Sequence, residues 1–289
     1  MSNDLVLVDP ADALDRERRL VNWLDAQASI AIGYSGGVDS AYLAAVAVDA
    51  IGAERVLGVI GRSASYPESQ WANARTVATQ IGLAVLEIDT DELNDPRYAA
   101  NPANRCYFCK TELWSRVVPA AKERGIELVA DGTNADDLRD YRPGAQAARE
   151  HGVVSPLAMF ELSKADIRAR SRERGLSTWR QPSSPCLSSR IPYGTAVTVV
   201  RLKRVERAES ALRELGIEGD LRVRHFGDLA RVELSRDELA RWSDIEERSR
   251  LESAVKAAGG YARVELDPRG FRSGALNEAV AHSATLPGD

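Results

Sequence analysis

Ser35-Gly36-Gly37-Val38-Asp39-Ser40 stands between two segments of opposite habit. Before it, Ser29 to Tyr34 reads as a short buried strand; after it, the small-residue segment Asp39 to Ile51 reads as a helix. Two adjacent glycines let the backbone approach an anion and turn its amides inward. Ser35 and Ser40 add hydroxyl donors, and the start of a helix adds a favourable dipole. A tight strand-to-helix turn is the plainer reading. Glycines, flanking serines and an acid directly after the first strand of an alternating pattern favour a phosphate site instead. No Gly-x-x-x-x-Gly-Lys-Ser/Thr run occurs, which excludes the common P-loop.

Outward from this run the alternation continues. Ala11 to Leu24 has helical spacing of Leu14, Leu20, Val21 and Leu24, and strands are expected at Arg55–Ile60, Ala84–Ile88 and Glu127–Ala130. Between them, Glu68–Ile81 and Tyr107–Arg124 read as helices. Such a pattern indicates an α/β fold, a parallel sheet covered on both faces. Ser163 to Gly175 is a helix with the basic set Lys164, Arg168, Arg170 and Arg172, and the proline- and serine-rich segment Gln181 to Gly194 reads as a hinge. Beyond it the rhythm changes to helix (Val199–Leu215), strand pair (Leu221–Phe226, Leu229–Leu234), long helix (Ser235–Ala258) and strand (Tyr261–Leu266). This suits a smaller α+β domain, ferredoxin-like in its simplest version. The expected domains are 1–195 and 196–289.

Across 289 residues, 38 Lys and Arg against 43 Asp and Glu leave a net charge of −5. That balance argues against sequence-independent binding of nucleic acid, which needs a strong basic field. Three cysteines do not make a secreted disulfide framework. Met1 to Asp12 is polar and acidic, unlike a signal peptide, and no apolar run reaches the length of a membrane span. A cytoplasmic protein is expected.

Cys106 and Cys109 lie at i and i+3, hence on one face at the start of a helix, where thiolates are favoured. Cys186 lies in the hinge. Ordinary buried small residues, a dithiol, a zinc site lacking its fourth ligand and three thiolates around an iron–sulfur cluster all remain open. Asp131-Gly132-Thr133-Asn134-Ala135-Asp136-Asp137 follows the fourth strand. Asp39 and one acid of that run are candidate magnesium ligands, with helix capping as the alternative for the run. Arg222 and Arg224 share one face of a strand, as a phosphate clamp or as a solvated charged face.

The Ser35–Ser40 run resembles the PP-loop of ATP pyrophosphatases, a group that includes GMP and NAD synthetases and tRNA thiolases. That likeness covers residues 29 to about 195 and implies that Ser35, Gly36, Gly37, Asp39, Ser40, Asp131, Gly132, Thr133 and Asn134 bind ATP and Mg2+. Together with it, Cys186-Leu187-Ser188-Ser189-Arg190-Ile191-Pro192-Tyr193-Gly194-Thr195 resembles the LarE-type sulfur transferases of nickel-pincer nucleotide synthesis. So do Asp140-Tyr141-Arg142-Pro143-Gly144, Arg222-Val223-Arg224 and Gly270-Phe271-Arg272-Ser273-Gly274, so the likeness spans nearly the whole chain.

The resemblance implies a substrate, pyridinium-3,5-biscarboxylic acid mononucleotide, whose carboxylates are adenylated and converted to thiocarboxylates. It implies catalytic roles for Asp39, Cys186 and Glu209, the last also readable as a surface helix residue, and substrate contacts from Arg142, Ser189, Arg190, Arg222 and Arg224. In single-cysteine members of the family the residue matching Cys186 gives up its sulfur and becomes dehydroalanine. Cys106 and Cys109 depart from that pattern and resemble the three-cysteine branch, in which a 4Fe-4S cluster held by Cys106, Cys109 and Cys186 carries sulfide from an external donor. A homo-oligomer is implied as well. The competing expectation is a PP-loop tRNA thiolase.

Overall fold

A computed structural model describes residues 10–139, 142–182 and 185–272. Asp140, Tyr141, Ser273 and Gly274 of the family-like runs, and most of the N-terminal segment, lie outside the described residues. Along the chain come α1 (Pro10–Asp25), β1 (Ile30–Gly33), α2 (Val38–Ile51), β2 (Val56–Arg62), α3 (Glu68–Gln80) and β3 (Ala84–Asp89). Then follow α4 (Pro96–Ala99), α5 (Arg105–Lys122), β4 (Val129–Ala130), α6 (Pro143–Glu150), α7 (Pro156–Met159) and α8 (Lys164–Glu173). The remainder is α9 (Val199–Glu214), β5 (Leu221–Phe226), β6 (Leu229–Leu234), α10 (Arg236–Trp242), α11 (Ile245–Gly259) and β7 (Arg263–Leu266). Among the described residues no helix is long and apolar enough to cross a membrane.

The chain divides into two compact units. The first holds residues 1–63, 68–92 and 106–181; the second holds 64–67, 93–105 and 182–289, so that 182–195 groups with the later residues. In the first unit four parallel strands lie in the order β3-β2-β1-β4. The two inner strands read Ile-Ala-Ile-Gly and Val-Leu-Gly-Val-Ile-Gly-Arg, apolar on both faces as a covered parallel sheet requires. Gly33 and Gly58 are small for a reason: a Cβ would stand 2.4 Å from the Trp114 ring and 2.7 Å from Leu83. α2 is buried on nearly every side, which its run of alanine, valine and leucine anticipates.

One carboxylate joins three helices of this unit. Glu17 of α1, 5% exposed, accepts from the Tyr42 hydroxyl of α2 at 2.6 Å and from Arg170 of α8 and Arg174, which caps the C-terminus of α8, at 2.9 Å each. Burial works to raise its pKa, but the hydrogen bonds from Arg170, Arg174 and Tyr42 outweigh burial and hold it at about 2. The same burial and the facing carboxylate push the Tyr42 hydroxyl far above its ordinary value.

The second unit carries a mixed sheet, β5-β6-β7, with β5 antiparallel and β7 parallel to β6. The ferredoxin-like version of the α+β expectation is therefore corrected: β7 returns beside β6 through a helical crossover instead of entering a four-stranded antiparallel sheet. The expected long helix Ser235–Ala258 is two helices, because Asp244 turns its carboxylate onto the amides of Glu246 and Glu247 and starts α11 afresh. The core of this unit is formed by Leu212, Val223, Val232, Trp242, Leu251 and Val255, among others.

Glu17→Ala strands two arginine charges in a largely buried place and is expected to cost about 3 kcal/mol of stability. Because the folded pKa of Glu17 lies below its unfolded value of about 4.5, its contribution is fully present above that pH and is lost as pH falls toward 2. Urea melts of wild type and Glu17→Gln between pH 7 and pH 2.5 should converge at the acid end.

Candidate active site

The chain leaves β1 through Tyr34, whose hydroxyl donates to the Ala74 carbonyl at 3.1 Å. Gly36 then takes φ +66°, and a Cβ there would lie 2.4 Å from the Ala74 Cβ and 2.5 Å from its Cα. Only glycine fits that approach. Gly37 caps α2 with no side-chain acceptor of its own, so the first turn of α2 keeps the donor character of a helix start. The Ser35 and Ser40 hydroxyls lie 3.2 Å apart, Ser35 N–H donates to Ser40 Oγ at 3.2 Å, and Gln70 Nε2 holds the Ser35 carbonyl at 3.2 Å. The loop is thereby braced from below by α3.

Directly beside it runs the loop after β4. A Cβ on Gly132 would come within 3.0 Å of the Ser40 nitrogen, so the two backbones touch at the start of α2. Asp131 accepts from Thr133 N–H at 3.0 Å, Thr133 Oγ1 at 2.9 Å and Ser155 Oγ at 2.8 Å. Asn134 Oδ1 accepts the Asp136 and Asp137 amides, and its Nδ2 reaches Asp39 Oδ1 at 3.5 Å. The run thus has the capping geometry of the plainer reading and also faces Asp39. Burial, with the Asp39 charge adding to it, raises the Asp137 carboxyl above its ordinary range against the pull of Arg142, whose guanidinium lies 2.6 Å away.

Lys164 Nζ lies 2.5 Å from Asp39 Oδ2. In the sequence Lys164 stands out only as part of a basic helix face; Ser163, which caps α8 with Asp166 in a capping box, marks where that helix begins and is the signal that points to its first residue. Ser155 was missed outright. Asp39, Asp131, Asp137, Asn134 and Lys164 therefore form one polar cluster at the mouth of the glycine turn.

In the second unit Cys186 precedes a single helical turn, Leu187–Arg190. Arg190, 2% exposed, pairs with Glu209 at 2.9 and 3.1 Å, and Glu209 also accepts the Val223 amide at 2.9 Å. Arg224 pairs with Glu233 at 3.0 and 2.8 Å and donates to the Ser189 carbonyl at 2.8 Å. Both strand arginines are buried, so the solvated charged face does not form. Arg222 lies over the Phe271 ring at 4.9 Å, and burial, helped by the nearby charge of Arg190, lowers its pKa to about 10. Arg142 is exposed.

Cys106 is exposed in the first turn of α5, Cys109 lies one turn on, and no disulfide involves any of the three cysteines. Among the described residues no group of three or more His, Cys, Asp or Glu side chains is placed to hold a metal ion. Cys106 and Cys109 belong to the first unit and Cys186 to the second, and thiolates have the chemistry that suits iron and sulfide.

A family model described as NAD synthase matches residues 16–116, from α1 through the glycine turn into α5. With the parallel sheet and the Ser35–Ser40 turn, this makes the first unit a PP-loop domain of the ATP pyrophosphatase type. An uncharacterized protein of Synechocystis is 43% identical over 249 residues, 86% of this chain and 92% of that protein. Pyridinium-3,5-bisthiocarboxylic acid mononucleotide synthase of Lactiplantibacillus plantarum is 33% identical over 253 residues, 87% of this chain and 90% of the synthase. An uncharacterized protein of Methanocaldococcus jannaschii is 30% identical over 208 residues, 72% and 78% of the two chains. The chain belongs to the family of that synthase, the LarE-type sulfur transferases.

Gly36→Ala is expected to abolish ATP binding, because the loop cannot keep both its left-handed residue and its seat on Ala74. Equilibrium binding of ATP to the variant, beside a melt showing a folded protein, checks this.

Proposed function

We propose that this protein is an ATP-dependent sulfur transferase that adenylates the carboxylates of pyridinium-3,5-biscarboxylic acid mononucleotide and converts them to thiocarboxylates. The observation that carries the reading is the glycine turn against Ala74 with Asp39 and Lys164 at its mouth, in a chain whose named relative is the bisthiocarboxylic acid mononucleotide synthase. ATP phosphates would lie on the amides of Gly36, Gly37 and the first turn of α2, with Ser35 and Ser40 as hydroxyl donors. Mg2+ suits Asp39 with an acid of the Asp131–Asp137 run, and when bound it neutralises phosphate charge. Lys164 shares the Asp39 carboxylate and adds a second positive charge beside the phosphates. A substrate carboxylate oxygen bonds to the α-phosphorus as pyrophosphate leaves. A sulfur nucleophile then bonds to the acyl carbon, and AMP departs with the bonding electron pair.

Activation belongs to the 1–195 domain in this reading and recognition of the substrate phosphate to 196–289. Arg222 is the best-motivated anion contact: its charge is disfavoured where it sits, and a phosphate would relieve that. Ser189, Arg224 and Arg142 are the further substrate contacts of the reading. For sulfur supply, the finer reading is that Cys106, Cys109 and Cys186 bind a 4Fe-4S cluster loaded by sulfide or another donor. The enzyme would be cytoplasmic and work as a homo-oligomer.

Asp39→Ala is expected to stop pyrophosphate release with the fold intact; unchanged release in a coupled phosphate assay would remove Asp39 from the reaction. Arg222→Ala should weaken substrate binding by about 1.5–3 kcal/mol, the scale of a charged hydrogen bond. Equal affinity of wild type for the substrate with and without its phosphate would sink that assignment. Anaerobic reconstitution with iron and sulfide should load wild type and lose cluster content in Cys106→Ala, Cys109→Ala and Cys186→Ala alike. Conversion of Cys186 to dehydroalanine after turnover, seen by peptide mass spectrometry, would overturn the cluster reading.

A further inference from the structure

Cys186 has its backbone held more firmly than its position on a proline- and serine-rich loop suggests. The Arg190 side chain folds back along its own turn: Nη1 donates to the Pro185 carbonyl at 2.5 Å, the Cys186 carbonyl at 3.1 Å and Ser189 Oγ at 3.0 Å. Its other edge faces Glu209 through Nε and Nη2. Leu187 N–H donates to the Ser65 carbonyl at 2.8 Å, the Ser188 hydroxyl lies 2.6 Å from the Tyr98 hydroxyl, and the Ser189 carbonyl receives Arg224. Each residue from Pro185 to Arg190 is thus tied down through an atom other than the Cys186 thiol.

Two features argue against Arg190 as the substrate contact that the family likeness implies. Its charge is already matched by the Glu209 carboxylate, and three acceptors on the turn occupy the Nη1 donors. A planar fork that bridges a carboxylate on one edge and carbonyls on the other is also something lysine cannot supply. We infer that Arg190, seated on Glu209, is a positioning residue that fixes the backbone of Cys186 and so aims its thiol for sulfur transfer. The inference rests on the sulfur-transferase reading for what the aim serves, but the hold on Cys186 stands apart from it. Orientation matters at this scale: a displacement of about 1 Å in a reacting group costs about 100-fold in rate.

The test compares wild type with Arg190→Lys, which keeps the charge and loses the fork; alkylation and binding are read on metal-free, reduced protein, and thiocarboxylate formation on protein reconstituted anaerobically with iron and sulfide. Three quantities are read: the iodoacetamide alkylation rate of Cys186 from its own peptide, the dissociation constant of the pyridinium mononucleotide, and the single-turnover rate of thiocarboxylate formation. Positioning predicts an altered alkylation rate, a dissociation constant within about twofold and transfer slowed about 100-fold. A large loss of affinity that vanishes with the dephosphorylated substrate would make Arg190 a substrate contact and overturn the inference, as would unchanged alkylation and transfer. Should Arg190→Lys not fold, Arg190→Met/Glu209→Leu removes both buried charges together, a change buried pairs tolerate better than the loss of one partner; the alkylation rate of Cys186 then decides, altered if Arg190 holds the turn and unchanged if it does not. If wild type releases no pyrophosphate with the pyridinium substrate, the proposed function fails, while the alkylation comparison still decides whether Arg190 holds Cys186.

Discussion

Glu17 keeps a charge at a buried position because three donors from two other helices converge on it. The consequence reaches the glycine turn. Tyr42 lies one turn along α2 from Asp39, and Arg170 lies on the same helix as Lys164. Locking Tyr42 and Arg170 to one carboxylate fixes how α8 lies against α2, and only one such alignment brings the first residue of α8 to the first turn of α2. The Lys164–Asp39 pair at 2.5 Å is thus partly a product of a charge cluster one turn further along α2 and nearly two turns further along α8. A buried ion network of this kind is a poor source of net stability and a good source of register.

The second unit uses the same device to a different end. Its Cys186 turn has few apolar side chains of its own, Leu187 excepted, and it is held by Arg190–Glu209, by Arg224–Glu233 and by Ser188 against Tyr98. Asn101, in a left-handed conformation and fully buried, spreads its amide nitrogen over the carbonyls of Ile191, Pro192 and Thr195 and receives Arg105 on its oxygen. A loop without its own ladder of hydrogen bonds needs such partners for its backbone groups. The ordered backbone around Cys186 follows from the same accounting.

What could be read from the sequence is what the backbone dictates locally. The glycine turn was legible because Gly36 is required by φ and by contact, and because strand and helix periodicities flank it. The parallel sheet was legible from apolar strands alternating with helices. Lys164 at Asp39, Ser155 at Asp131 and the Arg190 fork were not, since each depends on a partner brought in by tertiary packing, 125 residues away in the first case. The α10–α11 break was missed because Ser243 and Asp244 interrupt a good helical pattern through hydrogen bonds of their own rather than through proline or glycine. The α+β character of the second unit was legible, but its strand order was not, because strand count and spacing do not reveal which neighbour β7 chooses.

The two arginines of β5 carry this contrast to its chemical end. Two residues apart on one strand, both buried, they meet different surroundings. Arg224 has the Glu233 carboxylate across both edges of its fork, so its charge is balanced within the protein. Arg222 is penalised by burial and by Arg190, and the opposing pull of Glu209 is shared with Arg190, which that carboxylate already binds. Burial and the Arg190 charge thus weigh on Arg222, while Arg224 carries the Glu233 carboxylate. The same separation explains why Arg190 and Glu209 must be matched to each other: an unbalanced charge at either would change the field at Arg222 directly.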